Sequence, residues 1–505
     1  MSESKSPTIL LASSEISPLA KTGGLADVCG SLPQVLQRLG VNISLVMPKY
    51  RRVMEVGKTV ARFRIAIGDN LYEGSAERIY LPNTRVPLYL INQPHFFDRP
   101  TLYTEHGRDY PDNLERFTYF CRAVIELIKQ KVIEPDIIHA NDWQSALIPA
   151  YCKVLYADDP RFKSIRTLFT IHNLAYQGFF SKEQFPLTGL PWKCYTPEGL
   201  EFYDHVNLLK GGILYSDRIS TVSKRYAEEI QTPEFGCGLE GVLQQRKDRL
   251  IGVLNGVDYS DWAPQHDQWI PYPYGIDNVE EGKTQNKHHL LRAFKLPAEN
   301  LQAPVMGVVS RLASQKGLDL LAQIVPDLLR MGARLVVLGT GEPQLEDLFE
   351  SLHKRYPRQC GARILYDNHL AHLVEAGSDI FLMPSKYEPC GLNQMYSLRY
   401  GTIPVVRHTG GLADTIKDYT AHRDGYGFVF YPSNPHAFLE ACARAVTLYE
   451  NRHIWWMLVR RAMRLDFSWE RSARQYIEVF HELMQERPFL PDSSEPARPA
   501  KQQKV

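Results

Sequence analysis

Short apolar runs alternate with helical patterns along the chain. Residues 7–15 (PTILLASSE) suit a buried strand, and residues 41–50 (VNISLVMPKY) suit another. Between them, apolar residues recur at helical spacing: Leu25, Val28, Leu32, Val35, Leu36 and Leu39. Strand, glycine turn, helix and strand in this order predict a βαβ unit, and therefore a parallel sheet with the helix packed on it.

The first half of the chain continues this pattern. We predict further buried strands in VPLYLINQ, PDIIHAND, RTLFTIHN, DRISTVS and LIGVLNG, and a helix in NLERFTYFCRAVIELIKQK. The first half is therefore predicted to be an open, doubly wound α/β domain. Ligands of such sheets bind beyond the carboxyl ends of the strands.

A change of character near residue 255 predicts a second domain. Residues 255–278 are rich in Pro, Asp, Gly and aromatic residues with little periodicity, which is typical of a hinge or linker. A second α/β series then begins at APVMGVVSRLASQKGLDLL, with a helix expected to be kinked or broken near Pro326. GARILYDN, DIFLMPS and TIPVVRHTGG continue this series, and FSWERSARQYIEVFHELMQE predicts a closing amphipathic helix. We therefore predict domains over 1–255 and 256–466, a helix over 467–486 and a disordered tail over 487–505.

Composition narrows the function classes. The chain has 505 residues, 44% of them apolar and 23% charged, and its formal net charge of +1 gives no support to nucleic-acid binding. No apolar run reaches the length of a membrane span. The eight cysteines show no zinc spacing, which favours reduced thiols and argues against a metal site. We expect a soluble cytoplasmic protein that binds neither nucleic acid nor membrane.

The hexapeptide TGGLAD occurs twice, at 22–27 and at 409–414. Paired glycines let a backbone approach a ligand closely, and the N–H groups of the following helix turn favour an anion. Lys21 adds a cation to the first copy. The alternative is a tight turn that only packs helix on strand. Neither copy is a P-loop or a dinucleotide fingerprint, which weakens kinase and dehydrogenase interpretations.

Two stretches of the second half combine charge with strand ends. In SRLASQKGL, Arg311 and Lys316 follow an apolar strand, and an Arg fork with a Lys point charge suits a diphosphate. In PSKYEPCGL, Glu388 precedes a predicted helix start and could hold sugar or ribose hydroxyls. The alternatives are a solvated basic loop and an acid that interacts only with the helix dipole.

In the first half, IIHANDW and FTIHNLAYQG end strands with polar groups, among them Asp142, Trp143, His172 and Asn173. These residues provide hydrogen-bonding groups and aromatic faces of the kind that sugars need. A single histidine at a strand end can also be purely structural.

Taken together, LLASSEISPLAKTGGLADV, FTIHNLAYQG, VLNGVD, SRLASQKGLDL, PSKYEPCGLNQMY and RHTGGLADT resemble the bacterial glycogen synthase and plant starch synthase family, in its order and spacing, over roughly residues 8–480. The resemblance implies a GT-B architecture: two Rossmann-like domains facing a central cleft, with the C-terminal helix crossing back to the first. It implies transfer of glucose from a nucleotide-glucose, usually ADP-glucose, to the non-reducing end of an α-1,4-glucan with retention of configuration. It implies no metal and no cofactor.

The resemblance also implies roles for single residues. The residues with expected catalytic roles are Glu388, His172, Arg311, Lys316 and Asp142. Donor contacts are expected from Lys21, Gly23, Gly24, Asn255, Tyr366, Cys390, Gly391, Leu392, Thr409 and Gly410. Acceptor contacts are expected from Asp27, Asn173 and Tyr176. Within these sets, Tyr366 is expected to stack on the nucleotide base.

The chain departs from the family pattern where the family commonly has H-A-H-D-W, because Asn141 replaces a histidine in HANDW. The middle of SRLASQKG also differs. Two alternative functions stay open, another retaining GT-B transferase and an inactive glucan-binding scaffold. The donor base (ADP or UDP) and the retaining mechanism also stay open, although we favour same-face attack over a covalent intermediate on Glu388. We expect a monomer or a small homo-oligomer.

Overall fold

The computed structural model describes residues 7–105 and 107–486, so the predicted disordered tail over 487–505 lies outside the described residues. The chain forms two compact units. The first comprises the chain up to Ser220, Cys237–Leu250 and the chain from Tyr476 onward. The second comprises Thr221–Gly236 and Ile251–Gln475. No helix among the described residues is both long and apolar enough to span a membrane.

A nine-stranded sheet forms the core of the first unit, in the order β14-β13-β9-β8-β1-β2-β5-β4-β3. Strands β9, β8, β1, β2 and β5 pair in parallel, whereas β4 and β3 form an antiparallel edge. The strands are β1 (Thr8–Ala12), β2 (Asn42–Pro48), β3 (Lys58–Ile67), β4 (Asn70–Tyr80), β5 (Pro87–Asn92), β8 (Ile137–Asn141), β9 (Arg166–Ile171), β13 (Arg218–Thr221) and β14 (Leu250–Gly252). The short sheets comprise β6 (Thr104–Glu105) with β7 (Arg108–Asp109), and β10 (Phe179–Ser181) with β11 (Glu201–Phe202) and β12 (His205–Asn207).

The helices up to residue 245 are α1 (Gly24–Arg38), α2 (Pro94–Phe97), α3 (Asn113–Lys129), α4 (Leu147–Ala150), α5 (Pro160–Lys163), α6 (Leu208–Tyr215), α7 (Lys224–Glu229) and α8 (Glu240–Gln245). Of these, α7 belongs to the second unit. The apolar stripe predicted for the first helix is buried in α1, including Leu25, Val28, Leu32 and Leu36.

The second unit is built on a six-stranded parallel sheet in the order β17-β16-β15-β18-β19-β20. Its strands are β15 (Val305–Val309), β16 (Arg334–Leu338), β17 (Cys360–Arg363), β18 (Ile380–Met383), β19 (Ile403–Arg407) and β20 (Phe428–Phe430). The helices from residue 279 onward are α9 (Val279–Ala293), α10 (Leu318–Arg330), α11 (Pro343–Arg355), α12 (Asn368–Gly377), α13 (Asn393–Tyr400), α14 (Gly410–Thr415), α15 (Pro435–Glu450), α16 (Arg452–Met463) and α17 (Trp469–Gln485).

The predicted doubly wound α/β architecture in two halves is confirmed, with two corrections of detail. The helix expected to be kinked or broken near Pro326 is not broken, because α10 is one element that contains the proline, and a kink stays a prediction. The prediction also missed the antiparallel β3–β4 hairpin. Residues 253–278 form turns and an isolated bridge at Val257, with no helix or strand. The closing helix α17 begins in the second unit and ends in the first.

Each large sheet has a point where its strand order reverses, and there the loops on neighbouring strands diverge to opposite faces. In the first unit this switch point lies between β1 and β8. In the second unit it lies between β15 and β18. Ligands of open α/β sheets bind in the crevice that forms at such a point, so these two strand pairs locate the candidate sites.

Candidate active site

The first glycine turn follows β1 at the switch point of the first unit. Gly23 is the N-cap of α1, and Gly24 is its first residue. A Cβ atom built on either glycine would have no heavy atom within 4 Å, and both residues are exposed. Because no neighbour requires glycine at these positions, the turn presents an open backbone surface. This geometry favours ligand approach over a purely packing role.

Glu15 anchors this turn from the segment that follows β1. Its carboxylate accepts hydrogen bonds from the Thr22 backbone N–H and from Thr22 Oγ1, the latter at 2.6 Å. Tyr103 donates its hydroxyl to the same carboxylate at 2.7 Å. Lys21 Nζ lies 2.6 Å from Asp27 Oδ1 at the opposite end of the motif. Glu15 is 3% exposed, so the turn is held by a buried acid that sequence reasoning did not single out.

Asp142 and His172 lie together at the carboxyl ends of β8 and β9. The His172 backbone N–H donates to Asp142 Oδ1 at 2.7 Å. Asp142 has a φ of 55°, a left-handed conformation that is uncommon outside glycine. A non-glycine residue kept in this region marks a place where the surrounding structure overrides local preference, which is frequent at functional sites.

Burial changes the ionisation of this pair. It raises the pKa of Asp142 to about 7, helped by the nearby Glu15 carboxylate and opposed by the backbone N–H groups of His172 and Asn173. Burial lowers the pKa of His172 to about 3, so its imidazole is neutral at physiological pH. A carboxyl group that titrates near neutrality beside a neutral imidazole can exchange hydrogen bonds with sugar hydroxyls in either protonation state.

The expected acceptor residues Asn173 and Tyr176 lie on the loop after β9. Asn173 Oδ1 accepts a hydrogen bond from the Ala175 backbone N–H at 3.1 Å, and the Tyr176 ring is half exposed. Gly178 follows with a φ of 66°, and a Cβ there would lie 2.6 Å from Trp143 Cε3. Glycine at this position therefore lets the loop pass close over the Trp143 ring. This arrangement brings four of the predicted sugar-binding groups to one edge of the first unit's sheet.

Three loops pack together at the switch point of the second unit, after β15, β18 and β19. The Lys386 backbone N–H donates to the Gln315 carbonyl at 2.8 Å, which ties the first two loops together. Gly317 has a φ of 65°, and a Cβ there would lie 2.8 Å from the Pro384 carbonyl carbon. The Gly411 N–H donates to the Glu388 carbonyl at 3.1 Å and links the third loop.

This packing brings two of the predicted catalytic residues into contact. Lys316 Nζ lies 2.7 Å from Glu388 Oε2, and the Ser385 hydroxyl donates to the same oxygen at 2.9 Å. The Glu388 side chain is 7% exposed and that of Lys316 is 23% exposed. Arg311 lies on the same loop as Lys316 and is exposed, with its guanidinium 3.5 Å from Gln315 Oε1. The result is a partly buried charge cluster with one accessible arginine beside it.

The second glycine turn differs from the first in its surroundings. Gly410 has a φ of 44°, and a Cβ there would lie 2.8 Å from the Glu388 carbonyl carbon. A Cβ on Gly411 would lie 2.5 Å from both Cα and the carbonyl carbon of Cys390. Here glycine is required because the turn packs directly on the 388–390 backbone. The two copies of the hexapeptide therefore differ in why they contain glycine: the first turn is open, whereas the second is closely packed.

Glu229 of α7 occupies the donor groups of this second turn. Its Oε2 accepts hydrogen bonds from Thr409 Oγ1 at 3.1 Å and from the Gly410 N–H at 3.0 Å. Thr409 is fully buried. The predicted donor contacts at Thr409 and Gly410 thus already have a carboxylate partner. In both copies, a buried glutamate from elsewhere in the same unit accepts the hydrogen bonds of the motif's threonine.

The other predicted donor residues lie around the start of α13 or on an exposed loop. The helix begins at Asn393, so Cys390, Gly391 and the N-cap Leu392 precede it and do not form its first turn. Burial raises the pKa of the Cys390 thiol to about 12, against hydrogen bonds from Asn255, so the thiol is neutral. The Asn255 Oδ1 atom is buried and has no hydrogen-bond partner within residues 7–105 and 107–486. Tyr366 lies beyond the end of β17 and is 81% exposed.

Sequence reasoning missed Glu15 and Glu229. Glu15 could have been found, because it is an acid in the short polar stretch that follows a buried strand and precedes the first glycine turn. Glu229 gives no comparable signal, since it lies in an ordinary helical pattern far from its partner in sequence. Within the described part of the chain, no group of three or more His, Cys, Asp or Glu residues is arranged to hold a metal ion.

Comparisons with known proteins show which family the chain resembles. A family model for the starch synthase catalytic domain matches residues 8–245, and one for glycosyl transferases group 1 matches residues 291–456. The glycogen synthase of Koribacter versatilis (strain Ellin345) is 47% identical over 485 residues, covering 96% of this chain and 99% of that protein. The glycogen synthase of Syntrophotalea carbinolica is 45% identical over 482 residues, covering 94% of this chain and 99% of that protein.

Solved structures of related proteins have the same fold. The catalytic domain of starch synthase IV from Arabidopsis thaliana, bound to ADP and acarbose, superposes with a TM-score of 0.87 at 33% identity. The match covers 95% of this chain and all of that one. Sucrose-phosphate synthase from Thermosynechococcus elongatus shares the fold, with a TM-score of 0.59 at 15% identity. Fold and site thus define a glycosyltransferase of GT-B architecture. Within that class, the chain belongs to the glycogen and starch synthase family.

Proposed function

We propose that this enzyme transfers glucose from ADP-glucose to the non-reducing end of an α-1,4-glucan, with retention of the anomeric configuration. ADP-glucose is a substrate in this proposal, and no cofactor is involved. The proposal rests on the residues at the two switch points and on the relatives, among them a starch synthase whose structure contains ADP and acarbose.

The observation that carries the proposal is the contact between Lys316 and Glu388 at 2.7 Å, with Arg311 exposed on the same loop. A carboxylate can orient sugar hydroxyls, whereas a lysine and an arginine can bind a diphosphate. Having both kinds of group on loops that pack together suits a ligand in which a sugar and a diphosphate are joined. A glucan-binding scaffold would not need the two cations.

The proposed roles of the cationic residues follow from the charge that develops during glucose transfer. As the bond between glucose and the diphosphate breaks, negative charge grows on the leaving phosphate and positive charge grows on the sugar. Arg311, Lys316 and the open N–H groups of the first glycine turn would stabilise the departing phosphate. We assign Lys21 to the same task. Preorganised donors of this kind need no rearrangement at the moment of reaction.

We further propose same-face attack by the glucan hydroxyl, with the leaving phosphate accepting its proton. Lys316 and Ser385 both bind Glu388 Oε2, which supports a holding role for this carboxylate. Asp142, His172, Asn173, Tyr176 and Asp27 are assigned to the acceptor and to the reacting glucose. The orphaned Asn255 Oδ1 is assigned to a donor hydroxyl, because a buried acceptor without a partner suits a ligand that donates.

The remaining donor contacts are assigned to residues of the second unit. Cys390, Gly391 and Leu392 would surround the glucose, and Tyr366 would stack on the base. Thr409 and Gly410 would approach the distal phosphate only after exchanging hydrogen bonds with Glu229. We also propose that the enzyme works in the cytoplasm as a monomer or small homo-oligomer, without nucleic-acid or membrane partners.

The test is incorporation of labelled glucose from ADP-glucose into a glycogen primer. Lys316→Ala should lower kcat by about 10²-fold, the scale of losing one preorganised donor, and Arg311→Ala should do the same. Lys417→Ala is the control, since Lys417 is another lysine of the second unit and pairs only near the surface, with Asp424. Primer binding without incorporation would instead support a scaffold. A parallel assay with UDP-glucose decides the donor base.

A further inference from the structure

Asn141 is the last residue of β8 and is almost completely buried, with 1% of its surface exposed. Its Nδ2 atom donates to the Ala12 carbonyl at 3.2 Å and to the His139 carbonyl at 3.1 Å. Its Oδ1 atom lies 3.0 Å from His172 Nε2. All four residues belong to the first unit. The side-chain amide therefore connects two strand ends to the imidazole of His172.

The orientation of this amide is fixed by its neighbours. Two carbonyl oxygens face the Nδ2 side, and carbonyl oxygens can only accept hydrogen bonds. A flipped amide would place Oδ1 against both of them and would lose both hydrogen bonds, even if Nδ2 then donated to an unprotonated His172 Nε2. Oδ1 must therefore face His172, and because an amide oxygen only accepts, His172 Nε2 must carry the proton.

We propose that Asn141 is a positioning residue that holds His172 as the Nε2–H tautomer, so that its Nδ1 atom meets the substrate only as a hydrogen-bond acceptor. This inference deepens the proposed function, since it specifies how His172 acts on the sugar. A ring nitrogen that only accepts will bind a hydroxyl, which donates, and will not bind a phosphate oxygen or another bare acceptor.

The surroundings of His172 are consistent with a neutral ring. The groups that face it are the Asp142 carboxyl, which accepts its backbone N–H, and the His139 imidazole. Burial holds the pKa of both histidines near 3. His139 is engaged separately, with Nε2 2.6 Å from Thr170 Oγ1. With protonation disfavoured, the choice between the two neutral tautomers is decided by the partner of Nε2.

Asn141 does something that the histidine common in the resembling family cannot do. An imidazole at position 141 could either donate to His172 or accept from it, because its own tautomer is adjustable. An asparagine whose Nδ2 is committed to two carbonyls offers only an acceptor. In this chain the tautomer of His172 is thus set by the strand ends themselves.

The direct test is the imidazole ¹⁵N spectrum of the full-length protein, which needs no activity. The His172 resonances are assigned by their loss in His172→Gln. We expect Nε2 to show the shift of a protonated nitrogen and Nδ1 that of an unprotonated one from pH 6 to pH 8. The opposite tautomer, or a protonated ring in this range, would overturn the proposal, even if glucose transfer were demonstrated.

Variants test whether Asn141 determines the tautomer of His172. Asn141→Leu removes the acceptor at similar volume and should allow the Nδ1–H tautomer of His172 to appear. Thr170→Val is the matched control, because its hydroxyl contacts His139 and not His172. It should leave the His172 resonances unchanged. If the leucine variant does not fold, the wild-type spectrum still decides which tautomer His172 adopts.

Kinetics separate positioning from general stability. Asn141→Leu should lower kcat/KM for glucose transfer by about three- to tenfold, which corresponds to one hydrogen bond. In a His172→Ala background the same substitution should have almost no further effect, since it acts through the imidazole. An equal loss in both backgrounds would refute positioning. Absence of transfer in the wild type would refute the proposed function but would leave the spectroscopic result intact.

Discussion

The two TGG turns permit a matched experiment, because one substitution can be placed at the same motif position in both copies. Gly24→Ala adds a methyl group where no heavy atom lies within 4 Å. Gly411→Ala adds it where Cα and the carbonyl carbon of Cys390 would both be 2.5 Å away. Ordinary contacts of a Cβ lie at 3.4–4 Å, so backbone must move by about 1 Å in the second case and not at all in the first.

Opposite consequences are therefore expected. Gly411→Ala should destabilise the second unit by about 1–3 kcal/mol, the usual cost of overpacking. This corresponds to a fall of roughly 2–12 °C in its unfolding temperature. Gly24→Ala should unfold normally, but its methyl group projects into the space that we assign to the donor. Displacement of a bound group by about 1 Å can lower kcat/KM by on the order of 10²-fold.

The assay pairs calorimetric or fluorescence-detected unfolding with glucose incorporation from ADP-glucose, for the wild type and both variants. Normal kcat/KM in Gly24→Ala would show that the first turn does not contact the donor. An unchanged unfolding temperature in Gly411→Ala would show that the close packing of the second turn is not required. Either result would remove the distinction drawn between the two copies.

Three further predictions follow from buried polar groups and thiols. Burial raises the folded-state pKa of Asp142 to about 7, so the native state binds this proton more tightly than the unfolded chain does. The free energy of unfolding should therefore fall between about pH 4 and pH 7, relative to that of Asp142→Asn. Urea unfolding at several pH values measures this difference. Glu229→Ala leaves Thr409 Oγ1 and the Gly410 N–H without their acceptor and should cost about 1–3 kcal/mol in the same assay, whereas Glu229→Gln should recover most of it. Of the eight cysteines only Cys237 is exposed, so a maleimide should label it first in the native protein, as read by peptide mass mapping.

Each of these has a defined contrary result. A constant difference between wild type and Asp142→Asn across this pH range would show that the carboxyl is not protonated by burial. Equal stability of the alanine and wild-type proteins at position 229 would show that water replaces the carboxylate. Labelling of Cys390 at the rate of Cys237 would contradict the buried, neutral thiol inferred from its pKa of about 12.

The sequence allowed the α/β halves to be predicted because many of their parallel strands are short apolar runs, such as Ile380–Met383. The β3–β4 hairpin was missed because its strands alternate: in Lys58–Ile67 the buried residues occur at every second position and never form a run. Lys316 and Glu388 were found as separate motifs, but their contact depends on how two loops, 72 residues apart, pack on one sheet.

The glycine turns show the limit of motif reading most clearly. The identical sequences at 22–27 and 409–414 predict the same local turn, and a helix begins within each of them. What differs is the neighbour: open space beside Gly24, and the backbone of Cys390 beside Gly411. That difference comes from residues distant in sequence, and local patterns contain no information about it. The role of Glu229 could not be predicted for the same reason, since it lies 180 residues from Thr409 in sequence.

The path of the chain between its two compact units has a consequence for how this enzyme can be dissected. The backbone passes from one to the other at Ser220, returns after Gly236, leaves again after Leu250 and comes back after Gln475. No single cut can release either half with all of its own segments, so a fragment ending near residue 255 would lack the C-terminal segment that begins at Tyr476. During synthesis, the earlier half cannot be completed until nearly the whole polypeptide has been made, which ties the maturation of both halves to the last part of translation.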